Sequence, residues 1–290
     1  MGNEDLLAFR LQQNNPEALA DADIKRLNYV KEHYTDKDEA NFLYYQALLN
    51  LNTQFTKSAY GDEIQYILAK LLNQNLDNKY LKTKIDNKDV LTTQNIMKIC
   101  NDCIKNYPNS SGATNCLALI KTLQQKRINI TTEEVLLPNQ QSLAKVTYKN
   151  INKIYLKWIK VDYDKRDKLF ELKNKETQDD IIKRLNDLKV TKSWSQNLSQ
   201  KIDYTEHTSE IILPSAEQGF YVLMASTNSN FNLKNDKNAV VINQVFVSNI
   251  GYITKANSNE NFEIYVLDRK TSKPLQNATV TLFKREYNYQ

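Results

Sequence analysis

The first 126 residues place apolar side chains at intervals of three and four, which is the spacing of amphipathic helices. One series is formed by Ala40, Leu43, Tyr44, Ala47, Leu48 and Leu51. After a break at Gly61-Asp62, a second series is formed by Ile64, Ile67, Leu68, Leu71 and Leu72. The pattern predicts two successive helices in this part of the chain.

Residues 91–125 predict two further helices joined by a short turn. The first opens near Leu91 to Thr93, and its inner face is Ile96, Ile99, Cys103 and Ile104. The turn-forming sequence from Tyr107 to Gly112 ends it, and the second runs from Ala113 to Gln125. The pair resembles one tetratricopeptide-type hairpin, although no repeat of about 34 residues runs through the chain. We therefore expect a helical-hairpin domain over 1–126.

Near Arg127 the period changes to the alternation of β-strands. Alternating segments cover 128–137, 142–148 and 153–161, and Asn150 to Lys153 has the composition of a hairpin turn. Further strands are expected at 193–198, 208–213, 220–226 and 239–247. Strands at this spacing favour an antiparallel immunoglobulin-like β-sandwich of about six strands over 127–247. The charged stretch 163–189 interrupts it and predicts one or two exposed helices.

The last segment, 248–290, predicts the start of a second β-sandwich. Phe262 to Asp268 alternates, Thr271 to Asn277 supplies turn residues, and Ala278 to Phe283 alternates again. Because an isolated β-hairpin is only marginally stable in water, we expect the segment 248–290 to be the truncated beginning of a domain in a longer protein. The predicted fold is multidomain, α and β: a helical array, one complete sandwich and one incomplete sandwich.

Composition and charge narrow the classes of function. The net charge of +5 comes from cations interleaved with acids, as in Asp164 to Lys168, so no basic stripe indicates a nucleic-acid partner. No apolar run reaches the roughly 18 residues of a membrane span. Five glycines in the whole chain leave no glycine-rich phosphate loop. We expect no enzymatic activity, no catalytic residue, no cofactor and no metal.

A set of short sequence segments, in a fixed order, carries a family resemblance. They are Tyr107 to Cys116, Val135 to Ala144, Tyr148 to Leu156, Gly219 to Ser226, Val245 to Tyr252 and Tyr265 to Val280. Together they cover roughly residues 95 to 290. In this order they resemble the N-terminal region of the alpha-2-macroglobulin-like proteins of Bacteroidetes, in which a helical segment precedes macroglobulin domains of the first and second types.

The resemblance implies a non-catalytic scaffold in a protein that traps or blocks proteases. Its implied location is the periplasm or the outer-membrane surface, with anchoring only through a leader that is absent from this chain. The implied partners are proteases, met through the full-length protein, and neighbouring macroglobulin domains. The thioester sequence Cys-Gly-Glu-Gln is absent. The alternatives are a surface adhesion or polysaccharide- or peptide-binding module and, third, an intracellular tetratricopeptide scaffold.

The three cysteines are the first candidates for a redox, metal-binding or disulfide role. Cys100 and Cys103 form a C-x-x-C pair, but they fall late in a predicted helix, and His33 and His207 lack the spacing of zinc ligands. Small packing groups are the expected role. In a periplasmic protein, Cys103 and Cys116 on adjacent helices would form a disulfide, which we state as a hypothesis.

The other candidates favour structural roles. His207 lies beside Glu206 and near Ser209, but no strained nucleophile turn accompanies them, so a surface histidine is expected. Glu133-Glu134 is expected to be solvated and Asp179-Asp180 to lie in the first turn of a helix. Trp158 and Trp194 are expected at the core or core edge of the sandwich, where tyrosines such as Tyr221 also pack.

Overall fold

The computed structural model describes residues 8–10, 12, 16–55, 60–199, 203–233, 238–256 and 262–282. By its internal contacts the chain divides into two units. The helical unit comprises Met1–Gln125 with Lys201–Thr205, and the β-unit comprises Lys126–Gln200 with Glu206–Gln290.

Six helices build the described part of the helical unit from residue 16 onward. They are α1 (Pro16–His33), α2 (Lys37–Phe55), α3 (Gly61–Gln74), α4 (Lys79–Lys84), α5 (Thr93–Asn106) and α6 (Ser111–Gln124). Helix α3 packs against α2, α5 and α6, and most of the buried apolar residues of α2, α3, α5 and α6 form one cluster. The predicted apolar series therefore do bury one face of each helix, although Leu43 stays exposed and Gly61 begins α3 instead of breaking it.

The predicted turn between α5 and α6 is confirmed in detail. The hydroxyl of Ser110 accepts a hydrogen bond from the backbone N–H of Ala113 and caps α6. Asn109 adopts a left-handed backbone with φ 68°, which asparagine tolerates better than most residues. These two residues end one helix and start the next within a few residues.

Eight strands form two sheets that share one apolar core. A three-stranded sheet has the order β1 (Arg127–Thr131), β3 (Ser142–Lys149) and β6 (His207–Leu213). A five-stranded sheet has the order β2 (Val135–Leu136), β8 (Val240–Val247), β7 (Gly219–Ser226), β4 (Lys153–Val161) and β5 (Val190–Asn197). Every pair is antiparallel except β2 with β8, which is parallel. The arrangement is a mixed α and β fold with a two-sheet sandwich.

The shared core confirms the expected positions of Trp158 and Trp194. Ile154, Leu156 and Trp158 of β4 are almost fully buried in it, and Trp194 packs at its edge. The register of β4 against β5 shifts between Trp158 and Ile159, which marks a bulge. Beyond this bulge Ile159 belongs to a different cluster, on the other face of the sheet.

The predicted hairpin at Asn150 to Lys153 is wrong. Strand β3 pairs with β1 and β6, whereas β4 pairs with β5 and β7, so the chain crosses from one sheet to the other at this turn. Asn150 has φ 56°, so the predicted turn is present, but it joins strands of different sheets. The described strands of the sandwich also number eight, against the expected six or so.

The insertion within 163–189 forms a 3₁₀ turn (Tyr163–Lys165) and two helices, α7 (Arg166–Phe170) and α8 (Gln178–Asn186). The expectation that these helices are exposed is wrong for α8. Its Ile182 and Leu185 are fully buried in a cluster with Phe220, Val222 and Met224 of β7. One face of the five-stranded sheet is therefore covered by this insertion.

The chain continues as a separate two-stranded sheet of β9 (Ile250–Ala256) and β10 (Phe262–Asp268). The strand predicted at 262–268 is confirmed. The strand predicted at Ala278 to Phe283 is not formed over the described residues 278–282, and Phe283 lies outside the described part. The guanidinium of Arg269 donates from Nη1 to the carbonyl oxygen of Val135 at 2.8 Å and so joins this hairpin to β2.

Candidate functional site

The helical unit brings the three cysteines into one buried cluster. Cys100 and Cys103 lie on α5, Cys116 lies on α6, and all three are inaccessible to solvent. The thiol of Cys103 donates to the carbonyl oxygen of Asp62 at 3.5 Å, and Cys116 hydrogen-bonds with both Cys100 and Cys103. The sequence pointed to Cys103 and Cys116 as a pair, and the structure adds Cys100 as a second neighbour of Cys116.

The thiols of Cys103 and Cys116 are held in the protonated form. The hydrogen bond with Cys100, together with burial, raises the pKa of Cys116 to about 12. The hydrogen bond with Cys116, together with burial, raises the pKa of Cys103 well above its ordinary value. Since the thiolate is the nucleophile and the metal ligand, these two thiols are poorly reactive at neutral pH. In the described residues no group of three His, Cys, Asp or Glu side chains is arranged to hold a metal ion.

The remaining candidate side chains belong to the β-unit. His207 stands opposite Tyr148 in the register of β6 and β3, with the ring centroids 5.8 Å apart. The hydroxyl of Ser209 donates to the carbonyl oxygen of Glu210, so it is not directed at the histidine. Asp179 and Asp180 lie in the first turn of α8, as expected, and pair with Lys183.

A polar groove lies between α1 and α3 and has Tyr44 of α2 in its lining. We call it the α1–α3 groove. Its volume is about 720 Å³, within the range of roughly 300–1,000 Å³ that is typical of ligand pockets. Its charged lining residues are Asp21, Lys25, Lys31, Glu32, Asp62, Glu63 and Lys70, and its polar ones include Asn28, Tyr44, Tyr60, Tyr66 and Gln74. No sequence motif pointed to this groove.

Two hydrogen bonds fix the tyrosines of the groove. The hydroxyl of Tyr44 donates to Asn28 Oδ1 at 2.6 Å, and that of Tyr60 donates to Asp21 Oδ1 at 2.8 Å. Burial raises the pKa of Tyr44 to about 12, so the phenol stays neutral and remains a donor at physiological pH. The ammonium of Lys31 lies 4.9 Å from the centroid of the Tyr44 ring. The groove is thus an ordered polar surface that contains charges of both signs.

Comparison with known proteins gives only distant similarities. No family model matches the chain, and no curated protein matches it. A structure of native alpha-2-macroglobulin from Escherichia coli spanning domains NIE-MG1 is similar at a TM-score of 0.34 and 13% identity, covering 52% of this chain and 74% of that one. The CARDB domain of the PF1109 protein from Pyrococcus furiosus, in complex with di-metal ions, is similar at a TM-score of 0.24 and 15% identity, covering 43% of this chain and 88% of that one.

A third similarity is to the alkylpurine DNA glycosylase AlkC of Pseudomonas fluorescens bound to DNA containing an abasic site analog. It has a TM-score of 0.24 and 11% identity and covers 80% of this chain and 75% of that one. Values this low carry no argument about activity or ligands. Among the described residues, no helix is both long and apolar enough to cross a membrane.

Proposed function

We propose that this chain is a non-catalytic scaffold portion of an alpha-2-macroglobulin-like protein that traps or blocks proteases in the cell envelope. The observation that carries the proposal is the order of the elements. A helical unit is followed by a two-sheet sandwich and then by a separate β-hairpin. The sequence segments that resemble the alpha-2-macroglobulin-like family, from Tyr107 to Val280, occur in this same order.

The interior of the sandwich supports a structural role. The core shared by the two sheets is built from apolar and aromatic residues. Lys157, a buried charge among the described residues of the β-unit, lies outside this core, and its ammonium donates to Asn186 Oδ1 at 2.6 Å. A close-packed apolar core of this kind is typical of a structural domain.

The β9–β10 hairpin supports contact with a neighbouring macroglobulin domain of a longer chain. Tyr252 is 73% exposed, Ile253 is 57% exposed and Tyr265 is 49% exposed. Side chains of this type are enriched at protein interfaces. In this proposal, proteases meet the full-length protein through segments outside this chain, and its location is the periplasm or the outer-membrane surface.

A protease-protection assay tests the proposal. The chain alone is incubated with trypsin-like and chymotrypsin-like proteases, and so is the full-length protein. We expect the full-length protein to suppress cleavage of casein while sparing cleavage of a small peptide substrate, and the chain alone to suppress neither. Inhibition by the chain alone, or no suppression by the full-length protein, would contradict the proposal.

A second candidate is a surface module that binds polysaccharide or peptide. The α1–α3 groove favours it, because aromatic rings and polar groups line a volume of ligand size there. Glycan-array binding by the chain, together with unaffected proteases in the assay above, would favour this candidate over the scaffold.

A further inference from the structure

Strand β5 is the long free edge of the five-stranded sheet. It pairs with β4 on one side, and no described strand pairs with it on the other. Each residue of β5 is exposed except Trp194, which is partly exposed. At the opposite end of the sheet, β2 has only 2 residues and offers no comparable edge. The backbone of β5 is therefore the longer of the two unpaired edges of this sheet within the described part of the chain.

One backbone hydrogen bond fixes which groups of β5 face this edge. The N–H of Leu198 donates to the carbonyl oxygen of Asn152 at 2.8 Å, in register with the β4–β5 ladder. Because hydrogen-bonded pairs alternate along an antiparallel ladder, the even-numbered residues of 192–198 direct their N–H and carbonyl groups at β4. Ser193 and Ser195 therefore direct their backbone groups away from β4, towards the open side.

A bulge limits the regular part of this edge. Trp158 stands opposite Lys192 and Ile159 stands opposite Val190, so Thr191 has no counterpart on β4. A bulge twists the strand locally and interrupts pairing at that point. The regular edge therefore begins at Lys192 and continues to the end of β5.

The sequence of this regular edge does little to prevent another strand from pairing with it. From Lys192 to Asn197 it contains one charge, no proline and no glycine. Natural proteins protect edge strands with charges, proline or bulges. After the bulge and Lys192, the rest of β5 has none of these.

Strand β6, an edge of the three-stranded sheet, provides a contrast. It pairs with β3 alone, and the exposed Glu210 is its central residue. Two copies of β6 joined about their centres would place Glu210 against its counterpart, and like charges directly opposite destabilise a strand pair. Self-pairing of β6 is thus opposed by a charge, whereas the centre of β5 carries none.

We propose that two copies of the chain associate through β5, which pairs antiparallel with itself and joins the two five-stranded sheets into one. The direction of the backbone groups sets the register. Ser193 of each copy exchanges two hydrogen bonds with Ser195 of the other, and Trp194 stands opposite its counterpart on the two-fold axis. This inference concerns the β-unit alone and does not depend on the protease-trapping proposal.

The side chains of β5 are compatible with this register. Trp194 packs against the edge of the sandwich core, so the two indoles meet on the core side of the joined sheet. Aromatic side chains directly opposite each other stabilise a strand pair. Lys192 stands opposite Gln196, so no like charges meet. A shift by a single residue would set outward-facing backbone groups opposite inward-facing ones and lose the hydrogen bonds.

This self-complementarity favours a second copy over an unrelated strand. Backbone hydrogen bonds alone would accept any extended segment. In the self-paired register, the one aromatic residue meets an aromatic residue and the one charge meets an amide. Because both copies use the same edge, the contact closes as a dimer. A single short strand pair buries less than the roughly 1,000 Å² of a stable interface, so the dimer should be weak.

Sedimentation equilibrium of the whole chain tests the proposal. We expect the mean mass to rise with concentration from 33.7 kDa towards twice that value. A constant mass of 33.7 kDa up to about 1 mM, the upper limit of a weak specific contact, would overturn the proposal. Growth beyond a dimer would overturn it as well, because a contact of one edge with itself cannot propagate.

Proline variants test the backbone contact. Ser193→Pro and Ser195→Pro each remove an N–H that faces the open side and does not pair with β4, so the sandwich should still fold. Each variant removes two hydrogen bonds of the symmetric dimer and should weaken association about tenfold or more. Ser193→Ala and Ser195→Ala keep the N–H and should leave association unchanged. If both proline variants associate like the wild-type chain, the contact does not use β5 and the proposal fails.

Paired charges test the register without proline. Ser193→Lys combined with Ser195→Glu places opposite charges across the strand pair, whereas Ser193→Lys combined with Ser195→Lys places like charges there. We expect the first double variant to keep the dimer and the second to associate about tenfold more weakly or worse. Equal association of the two would show that the strands do not meet in this register. None of these results bears on protease suppression by the full-length protein, so this inference and the scaffold proposal fail separately.

Discussion

The carboxylate of Asp62 accepts a hydrogen bond at 2.8 Å from the backbone N–H of Gly112, fifty residues further along the chain. Asp62 is 4% exposed and lies in the first turn of α3, whereas Gly112 lies in the first turn of α6. The same aspartate supplies the carbonyl oxygen that accepts from the Cys103 thiol. Asp62 therefore joins α3 to both α5 and α6.

We expect Gly112→Ala to destabilise the helical unit by about 1–3 kcal/mol, as overpacking does. A Cβ at position 112 would meet the carbonyl carbon and oxygen of Asp62 at 2.4 Å, and these backbone atoms cannot rotate away. Urea unfolding measures the free energy. Ser111→Ala, one residue earlier on α6, is the matched control and should change it little. Equal stability of Gly112→Ala and the wild-type chain would show that the helices are not in close contact here.

The thiol cluster predicts how the chain responds to oxidation. Refolding with oxidised glutathione should form the Cys103–Cys116 disulfide and leave one free thiol of three, counted by alkylation and mass spectrometry of the unfolded, unreduced protein. Closing a loop of this length should raise the free energy of unfolding by about 3 kcal/mol.

Alanine variants identify the bonded pair. Cys100→Ala should still form the bridge, whereas Cys116→Ala should not form it. Because Cys116 touches both other thiols, a Cys100–Cys116 bridge in the wild-type chain would refute the assigned pair. Three free thiols after oxidative refolding would refute the disulfide itself.

Lys157 predicts a pH-dependent stability. It is 5% exposed, lies 4.5 Å from the centroid of the Phe231 ring, and has its pKa lowered by burial from the ordinary 10.5. Between the lowered pKa and 10.5 the unfolded chain binds more protons, so stability rises with pH across that window. Below the lowered pKa the cost of burying the charge is present in full.

Lys157→Met removes that cost and should be more stable than the wild-type chain by about 1 kcal/mol at neutral pH, even though Asn186 loses a donor. The difference should shrink as the pH approaches 10.5, measured by chemical unfolding from pH 7 to 10. Lys192→Met, at an exposed position of the neighbouring strand β5, controls for the change in net charge. A difference that does not vary with pH would show that the Lys157 charge carries no cost.

Arg269→Ala should loosen the β9–β10 hairpin without unfolding the sandwich. It removes the hydrogen bond to Val135 and the 3.9 Å approach to Glu133, which together contribute about 1–2 kcal/mol locally. Hydrogen exchange of the β10 amides should quicken about tenfold while exchange in β7 stays the same. Lys270→Ala, the exposed neighbour, should leave both rates unchanged. Equal acceleration in β7 would mean that the side chain supports the whole unit.

The sequence predicted the positions of the helices and strands better than it predicted which strands pair. The change from helical to alternating period matches the start of β1 at Arg127, and turn residues mark Tyr107 to Gly112 correctly. Alternation does not reveal which sheet a strand joins, so β3 and β4 were paired wrongly although Asn150 makes the turn. The charged residues of α8 concealed its buried Ile182 and Leu185, because a short amphipathic helix has few apolar positions.

The α1–α3 groove could not be predicted from the sequence. Lys31 and Lys70 are distant in the chain and belong to no motif, and each resembles an ordinary surface lysine. Only the packing of α1 beside α3 brings them into one groove. By contrast, the predicted adjacency of two helices suggests the pairing of Cys103 with Cys116, whereas the C-x-x-C spacing does not indicate that Cys100 also contacts Cys116.

Strand β7 is covered on both faces: Tyr221, Leu223 and Ala225 face the other sheet, and Phe220, Val222 and Met224 face the α8 insertion. Such a strand has no side on which a polar side chain would meet water. Related chains should therefore differ least along Phe220 to Ala225 and should accumulate their differences on strands with an open face. The segment should be the most recognisable stretch of this fold when distant relatives are compared.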